Sequence, residues 1–356
     1  MYTNFYSFLL IVLTLNANYA FAKEVKPSAT LPAWKNIQLP SKVSLRGSAI
    51  KAKSIWVSGN NNTVFVSQDG GSTWQNKSVP STLEQDFRDI ALFDKNTAIV
   101  MGAGSGPLST LYKTTDGGNS WQLLYQNTDK LGFFNSIAFW SKQQGLLLGD
   151  PVDGFFVIKK TDDGGKTWRR ISVANLPIKQ SNESAFAASG NSVIVSRGGK
   201  AWIATGGFSA SVYSSSDFGE TWQRNHVPLY QETQTAGGYS MAINQSEQPF
   251  IVGGDYLNRS KKYNNTATFT GNRWQSVKTG NNGLKTAMSC IDLTCILTGK
   301  LSNDISLDSG TTWQAMTGTG YYTLSSDSDT FVAAGANGTV GIIELKSPAD
   351  QLKGYL

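Results

Sequence analysis

Seven polar side chains, each standing directly before an apolar strand core, fall into one column when the chain is aligned on its recurring segments. They are Arg46 in LRGSAI, Arg88 in FRDIAL, Asn135 in FNSIAF, Glu183 in NESAFA, Tyr239 in GYSMAI, Lys285 in LKTAMS and Tyr322 in YYTLSS. Guanidinium groups, a lysine and tyrosines gathered round one opening suit a carboxylate, because a guanidinium fork can hold both oxygens at once. Nearby loops add Asp150 and Asp153 in GDPVDG, then Asp255, Tyr256, Arg259, Lys261 and Lys262 in GGDYLNRSKKY. The expectation is a binding site for a protein or peptide tail, formed by Arg46, Arg88, Asn135, Asp150, Glu183, Tyr239, Asp255, Tyr256, Lys285 and Tyr322. The plainer alternative is a wet opening whose polar residues only meet water.

Other chemistries are short of residues. One histidine and two cysteines cannot assemble a His-rich or Cys-pair zinc site. His226 sits in WQRNHVPLY, a link between segments, which is a poor place for a catalytic relay. There is no Gly-rich nucleotide loop between a strand and a helix and no haem-attachment motif. Neither a cofactor nor a metal is expected. Cys290 and Cys295 in SCIDLTC flank a short turn between two strand-like runs, so an oxidising compartment would join them across a hairpin. So small a loop stabilises by about 2 kcal/mol. The formal charge of +6 is spread thinly, with no basic stripe of the kind that binds nucleic acid. A mild attraction to anionic surfaces is what such a charge implies.

The elements that must place the column are announced by a repeated phrase. SQDGGSTW opens at Ser67, TTDGGNSW at Thr114, TDDGGKTW at Thr161, SSDFGETW at Ser215 and SLDSGTTW at Ser306. The intervals are 47, 47, 54 and 91, and the last spans a degraded copy, ATFTGNRW, at 267–274. A β-rich run ending in glycine keeps step with it, at Gly59, Gly102, Gly149, Gly206, Gly253, Gly299 and Gly335. Seven units of short strands at a period of about 46 residues are the mark of a propeller. Each unit reads as four antiparallel strands. The seventh has three, and PAWKNIQLP near the other end supplies a fourth. The expected fold is therefore an all-β, seven-bladed propeller whose last blade is completed by residues 33–40. That closure removes the free sheet edge.

Within each phrase the Asp (69, 116, 163, 217, 308) can accept hydrogen bonds from the turn's own N–H groups. The Trp (Trp74, Trp121, Trp168, Trp222, Trp313) is a flat anchor for the seam between blades. The phrase reads as structural. At the start, an apolar stretch from Phe8 to Leu15 and the Ala20-Phe21-Ala22 pattern before Lys23 read as a secretory leader. The organisation expected is a leader at 1–22, the propeller at 23–346 and a short tail at 347–356, in an exported, periplasmic or secreted monomer without a membrane span.

The phrase resembles the Asp-box, or BNR repeat, found in sialidases and other glycoside hydrolases, in sortilin-type receptors and in the photosystem II stability/assembly factor family. The segment 133–171 resembles an assembly-factor blade, and ESAFAASG (183–190) and GGDY (253–256) resemble signatures of its non-photosynthetic bacterial relatives. That resemblance implies a non-enzymatic propeller that holds a partner during assembly. The alternative it leaves is a sialidase-like hydrolase, which needs an arginine triad, a tyrosine nucleophile with a glutamate, and an acid aspartate. Arg46, Arg197, Arg259, Arg273, Tyr239, Glu183 and Asp89 supply the residue types. Against it, Arg46 is followed by Gly and Ser rather than Ile and Pro, and sialidases have six blades rather than seven.

Overall fold

A computed structural model describes residues 31–345, and the expected leader and tail lie outside the described residues. Seven four-stranded antiparallel sheets follow one another along the chain, and no α-helix occurs among the described residues. The innermost strands of blades 1 to 7 are Leu45–Lys51, Phe87–Leu92, Phe134–Phe139, Val193–Val195, Ala236–Ile243, Ala287–Ile291 and Thr323–Asp327. Each packs beside the next, and the seventh packs beside the first, so the ring closes. The strand Lys35–Gln38 pairs with Thr339–Glu344 and completes blade 7, as the sequence implies.

The second strand of each blade is buried along most or all of its length. Ser54–Gly59 is buried along its whole length, as are Ala98–Gly102 and Ala201–Thr205. The cores formed are seams, each shared by two blades. Leu45, Ile55 and Val57 of blade 1 meet Val332, Val340 and Ile342 of blade 7, with Trp74 against them. Trp121, Trp168, Trp222 and Trp313 each stand at the seam to the preceding blade. Cys290 and Cys295 are disulfide-bonded across the first hairpin of blade 6.

In the hairpins between third and fourth strands, one aspartate oxygen collects donors from across the turn. Asp69 Oδ1 accepts from the amides of Ser72 and Thr73 at 3.0 and 2.9 Å, and its Oδ2 accepts from Thr73 Oγ1 at 2.6 Å. Asp116, Asp163, Asp217 and Asp308 repeat the last two contacts with Ser120, Thr167, Thr221 and Thr312. These hydroxyl and amide donors hold Asp69, Asp116 and Asp163 down at about 2. For Asp217 and Asp308 burial works against the shift, and the donors overcome it.

Blade 4 departs from the sequence reading. NESAFA does not form its innermost strand. Ser184 makes a single bridge to Gly206, and residues 185–191 then leave the sheet and cross the channel before Val193 resumes it. The crossing segment is tied to blades all round the ring. Its Ala187, Ser189 and Gly190 carbonyls accept from Arg88 Nη1 at 3.0 Å, Thr323 Oγ1 at 2.9 Å and Ser136 Oγ at 2.6 Å. Asn191 donates to the Leu324 carbonyl at 3.0 Å and accepts from the Met241 amide at 2.7 Å. Small residues make the crossing possible: a Cβ on Gly190, at φ +79°, would stand 2.6 Å from Asp89 Oδ1. The channel is plugged.

Beneath the plug, Asp89 is buried and its carboxylate accepts from the amides of Ile90 and Ile137 and from Ser136 Oγ. Burial outweighs these bonds and raises it to about 7. Two opposite pH dependences follow. For the hairpin aspartates the unfolded chain takes up protons first, so stability present above about pH 4 is lost towards pH 2. For Asp89 the unfolded chain ionises first, from about pH 4, so stability present below that is lost as pH rises to about 7. Thermal unfolding across this range is expected to show a maximum near pH 4–5. Asp89→Asn should flatten the neutral limb alone, by at least about 1 kcal/mol. A limb unchanged in Asp89→Asn would assign it to other groups.

Candidate functional site

The plug turns one end of the channel into a cup of about 460 Å³, with Ala185, Phe186, Ala187 and Ala188 in its lining. The cup opens on the face opposite the aspartate hairpins. Connections from second to third strands, and links from blade to blade, emerge there together. Gly106 N donates to Gly132 O, Lys179 N to Gly154 O, Phe208 N to Thr233 O and Leu284 N to Arg259 O, at 2.8–3.0 Å, each joining a turn to the following link.

Backbone irregularity aims the lining. The inner strands of blades 1, 2, 3 and 5 each slip register by one residue near their start. The residues left unpaired are Arg46, Arg88, Asn135 and Tyr239. A bulge of this kind redirects a side chain that regular alternation would send into the neighbouring sheet. All four line the cup, as do Asp150, Tyr256 and Tyr322.

Three of the ten expected binding residues are not brought to it, because the protein's own groups occupy them. Glu183 is buried and accepts from Tyr213 Oη at 3.1 Å, from the Gln180 amide at 2.7 Å and from Thr205 Oγ1. Asp255 accepts from Thr233, Thr235 and Asn258 side chains at 2.7–2.9 Å and pins the loop that follows it. Lys285 is fully buried against Asp304 at 2.6 Å. In their place stand Arg259, which the loop sequence named, and Lys300 and Phe186, which it did not. Lys300 directly follows Gly299, so the rule that residues after the second-strand glycine reach this face would have found it.

The cup is electrically lopsided. Asp86 pairs with Arg88, at 2.8 Å to both Nε and Nη2, and lies 3.9 Å from Arg46 Nε. Arg46 Nε makes no hydrogen bond within the protein although it is buried. Asp150 accepts from Asn135 Nδ2 at 2.8 Å, and burial raises its carboxyl. The Arg46 guanidinium and the Lys300 ammonium lie over the same Tyr322 ring, at 5.7 and 4.6 Å from its centre. Burial, followed by Arg259, Arg46 and Arg88, pushes Lys300 down to about 8. Arg46 is lowered by burial and then by Arg88. On the far wall Phe186 stacks on Tyr239 with ring centres 4.4 Å apart. Four cations and an aromatic wall converge on a space partly shielded from water.

Of the residues a sialidase-like reaction would need, Arg46, Arg259 and Tyr239 line the cup, while Glu183, Asp89, Arg197 and Arg273 do not. Tyr239 donates to the Thr235 carbonyl at 2.5 Å, and Glu183 bonds other partners. Asp89 lines the separate cavity on the opposite side of the plug. Arg197 lies in the turn Arg197–Gly199 after the inner strand of blade 4, and Arg273 opens the outermost strand Arg273–Ser276 of blade 5.

A family model described as the DUF6242 beta propeller domain matches residues 8–265. No curated protein matches the chain by sequence. Among solved structures, one described as YCF48 bound to D1 peptide is similar at 17% identity, with a TM-score of 0.66, over 90% of this chain and 99% of that one. Virginiamycin B lyase from Staphylococcus aureus is similar at 12% identity and a TM-score of 0.65, over 88% and 99%. The GH74 enzyme of Niastella koreensis gives 14% and 0.60, over 86% of this chain and 53% of that one. At such identities the likeness is one of fold.

Proposed function

Since this chain belongs to the DUF6242 beta propeller family, we propose that its cup receives an anionic peptide tail, in an exported Asp-box propeller that works as a binding or assembly scaffold. The observation that carries the reading is the convergence of Arg46, Arg88, Arg259 and Lys300, whose mutual repulsion an incoming carboxylate would relieve. Asp86 is already engaged by the arginines. The Tyr239–Phe186 wall offers the residues before the tail an apolar surface. The similar YCF48 structure holds a peptide, which makes a peptide the first ligand to try.

A fluorescent peptide library with carboxylate C termini, compared with the same library amidated, tests this. The carboxylate form should bind about tenfold or more tightly, and Arg46→Ala/Arg88→Ala should abolish the preference. Equal affinity for both forms, or full affinity in the double variant, would exclude the cup. Binding should also weaken as pH rises through about 8, where Lys300 loses its proton. Lys300→Arg should remove that dependence. A pull-down from the exported fraction, with the wild type beside the double variant, would identify the partner.

A further inference from the structure

The rim around the cup presents a second kind of surface. Among the described residues, six large apolar side chains are more than half exposed, and five of them stand on cup-face connections. They are Leu131 (90%), Leu257 (71%), Ile178 (68%), Leu301 (54%) and Phe208 (52%). They follow one another along an arc from the link between blades 2 and 3 to the turn of blade 6. Phe208 is held at φ +60°. A bulky side chain is rarely found there, yet this ring is half exposed.

Each tip but Phe208 has a cation beside it in the same loop. Lys130 precedes Leu131, Lys179 follows Ile178, Lys300 precedes Leu301, and Arg259, Lys261 and Lys262 follow Leu257. The exposed carboxylates on the cup-face connections are Glu84, Asp129, Asp153 and Glu232. The opposite, hairpin face has Leu293 as its most exposed apolar residue, and no comparable set.

We infer that this arc is a membrane-docking surface: the five apolar tips enter the interfacial region of an anionic phospholipid bilayer while the flanking lysines and Arg259 meet its headgroups. The pattern favours lipid over a protein partner. Protein interfaces centre on a contiguous apolar patch with a polar rim. Here the apolar groups stand singly, one to a loop, at one end of a disc, and all but Phe208 are backed by positive charge. Shallow insertion beside anionic lipid needs that arrangement, and it adds small contributions from many loops. The inference rests on the apolar tips and shares only Arg259 and Lys300 with the peptide reading, although a bilayer-docked propeller would hold its cup towards chains emerging from the membrane.

Sedimentation of the full mature chain with vesicles tests it, without any peptide present. Vesicles of phosphatidylcholine with roughly 30% phosphatidylglycerol should carry the protein down at low salt, and pure phosphatidylcholine should not. Leu131→Ser/Ile178→Ser/Leu257→Ser should cut the bound fraction about tenfold, with unchanged thermal unfolding because all three are exposed. Arg46→Ala/Arg88→Ala should sediment as the wild type does, which separates this result from the fate of the cup. Absence of binding to anionic vesicles would overturn the proposal. So would equal binding by the triple variant, which would reduce it to charge adhesion. Retention of the rim by a protein from the exported fraction, with no vesicle binding, would assign the arc to a protein partner instead.

Discussion

A chain shortened to begin at Ser41 is expected to lose its independent fold and to associate with copies of itself. The segment removed holds four paired positions against the last strand of blade 7, from Lys35 opposite Ile342 to Gln38 opposite Thr339. Leu39 is buried, and its amide donates to Gly338 O at 3.0 Å. Ile37 packs on the seam between blades 7 and 1, and Trp34 meets Tyr321 edge-on at 5.1 Å. Losing a buried leucine, much of an isoleucine and an aromatic contact costs on the order of 5 kcal/mol. That is comparable with the whole stability of many domains. The truncation also bares the edge of Thr339–Glu344, whose valine and isoleucines would then invite strand addition. Light scattering after gel filtration should find oligomers, and thermal unfolding should lose its single cooperative step. A peptide of residues 31–42 added in trans should restore both. A truncated chain that stays monomeric with an unchanged Tm would show that the ring is held by its seams alone.

What the sequence made legible was whatever recurs. Glycine at the end of the second strand and tryptophan at the start of the fourth mark every blade. Their count gave seven, and the missing strand was found at the other end of the chain because the seventh unit lacked one. The plug was hidden for a physical reason. ESAFAASG has the alternation of small and apolar residues that also describes a strand, and nothing local separates a strand from an extended crossing. The trace it left is in the spacing: the third interval is 54 rather than 47, and the surplus equals the seven residues 185–191. The bulges were equally silent, since one extra residue in a strand alters no composition. Alignment therefore put Arg46, Arg88, Asn135 and Tyr239, which line the cup, in one column without the cause that aims them. The same alignment could not tell which members turn to the cup and which turn into their own blade, as Glu183 and Lys285 do. That choice depends on partners elsewhere, Tyr213 and Asp304, which no column displays.

Lys285→Met is accordingly expected to damage the fold and leave the cup intact. The Lys285 ammonium lies 2.6 Å from Asp304 Oδ2 and 2.8 Å from Ser302 Oγ, and both ion-pair side chains are wholly shielded from water. Burial lowers the lysine from its ordinary value, and Asp304 opposes that shift. Removing the lysine strands a buried carboxylate whose remaining donor is the Asn281 amide at 2.6 Å. An uncompensated charge of this kind costs about 3–5 kcal/mol, whereas replacing both partners with neutral groups of similar size is often close to neutral. Lys285→Met/Asp304→Asn should therefore recover most of the stability lost in the single variant, giving a coupling of about 2 kcal/mol or more in a double-mutant cycle. Asparagine keeps an oxygen for the Asn281 amide, so the rescue does not depend on losing that bond. Peptide affinity measured on the folded single variant should match the wild type, unlike that of Arg46→Ala/Arg88→Ala. If Lys285→Met weakened peptide binding while Tm stayed in place, the lysine would belong with the arginines at the cup, and its pairing with Asp304 would not be what holds it in solution.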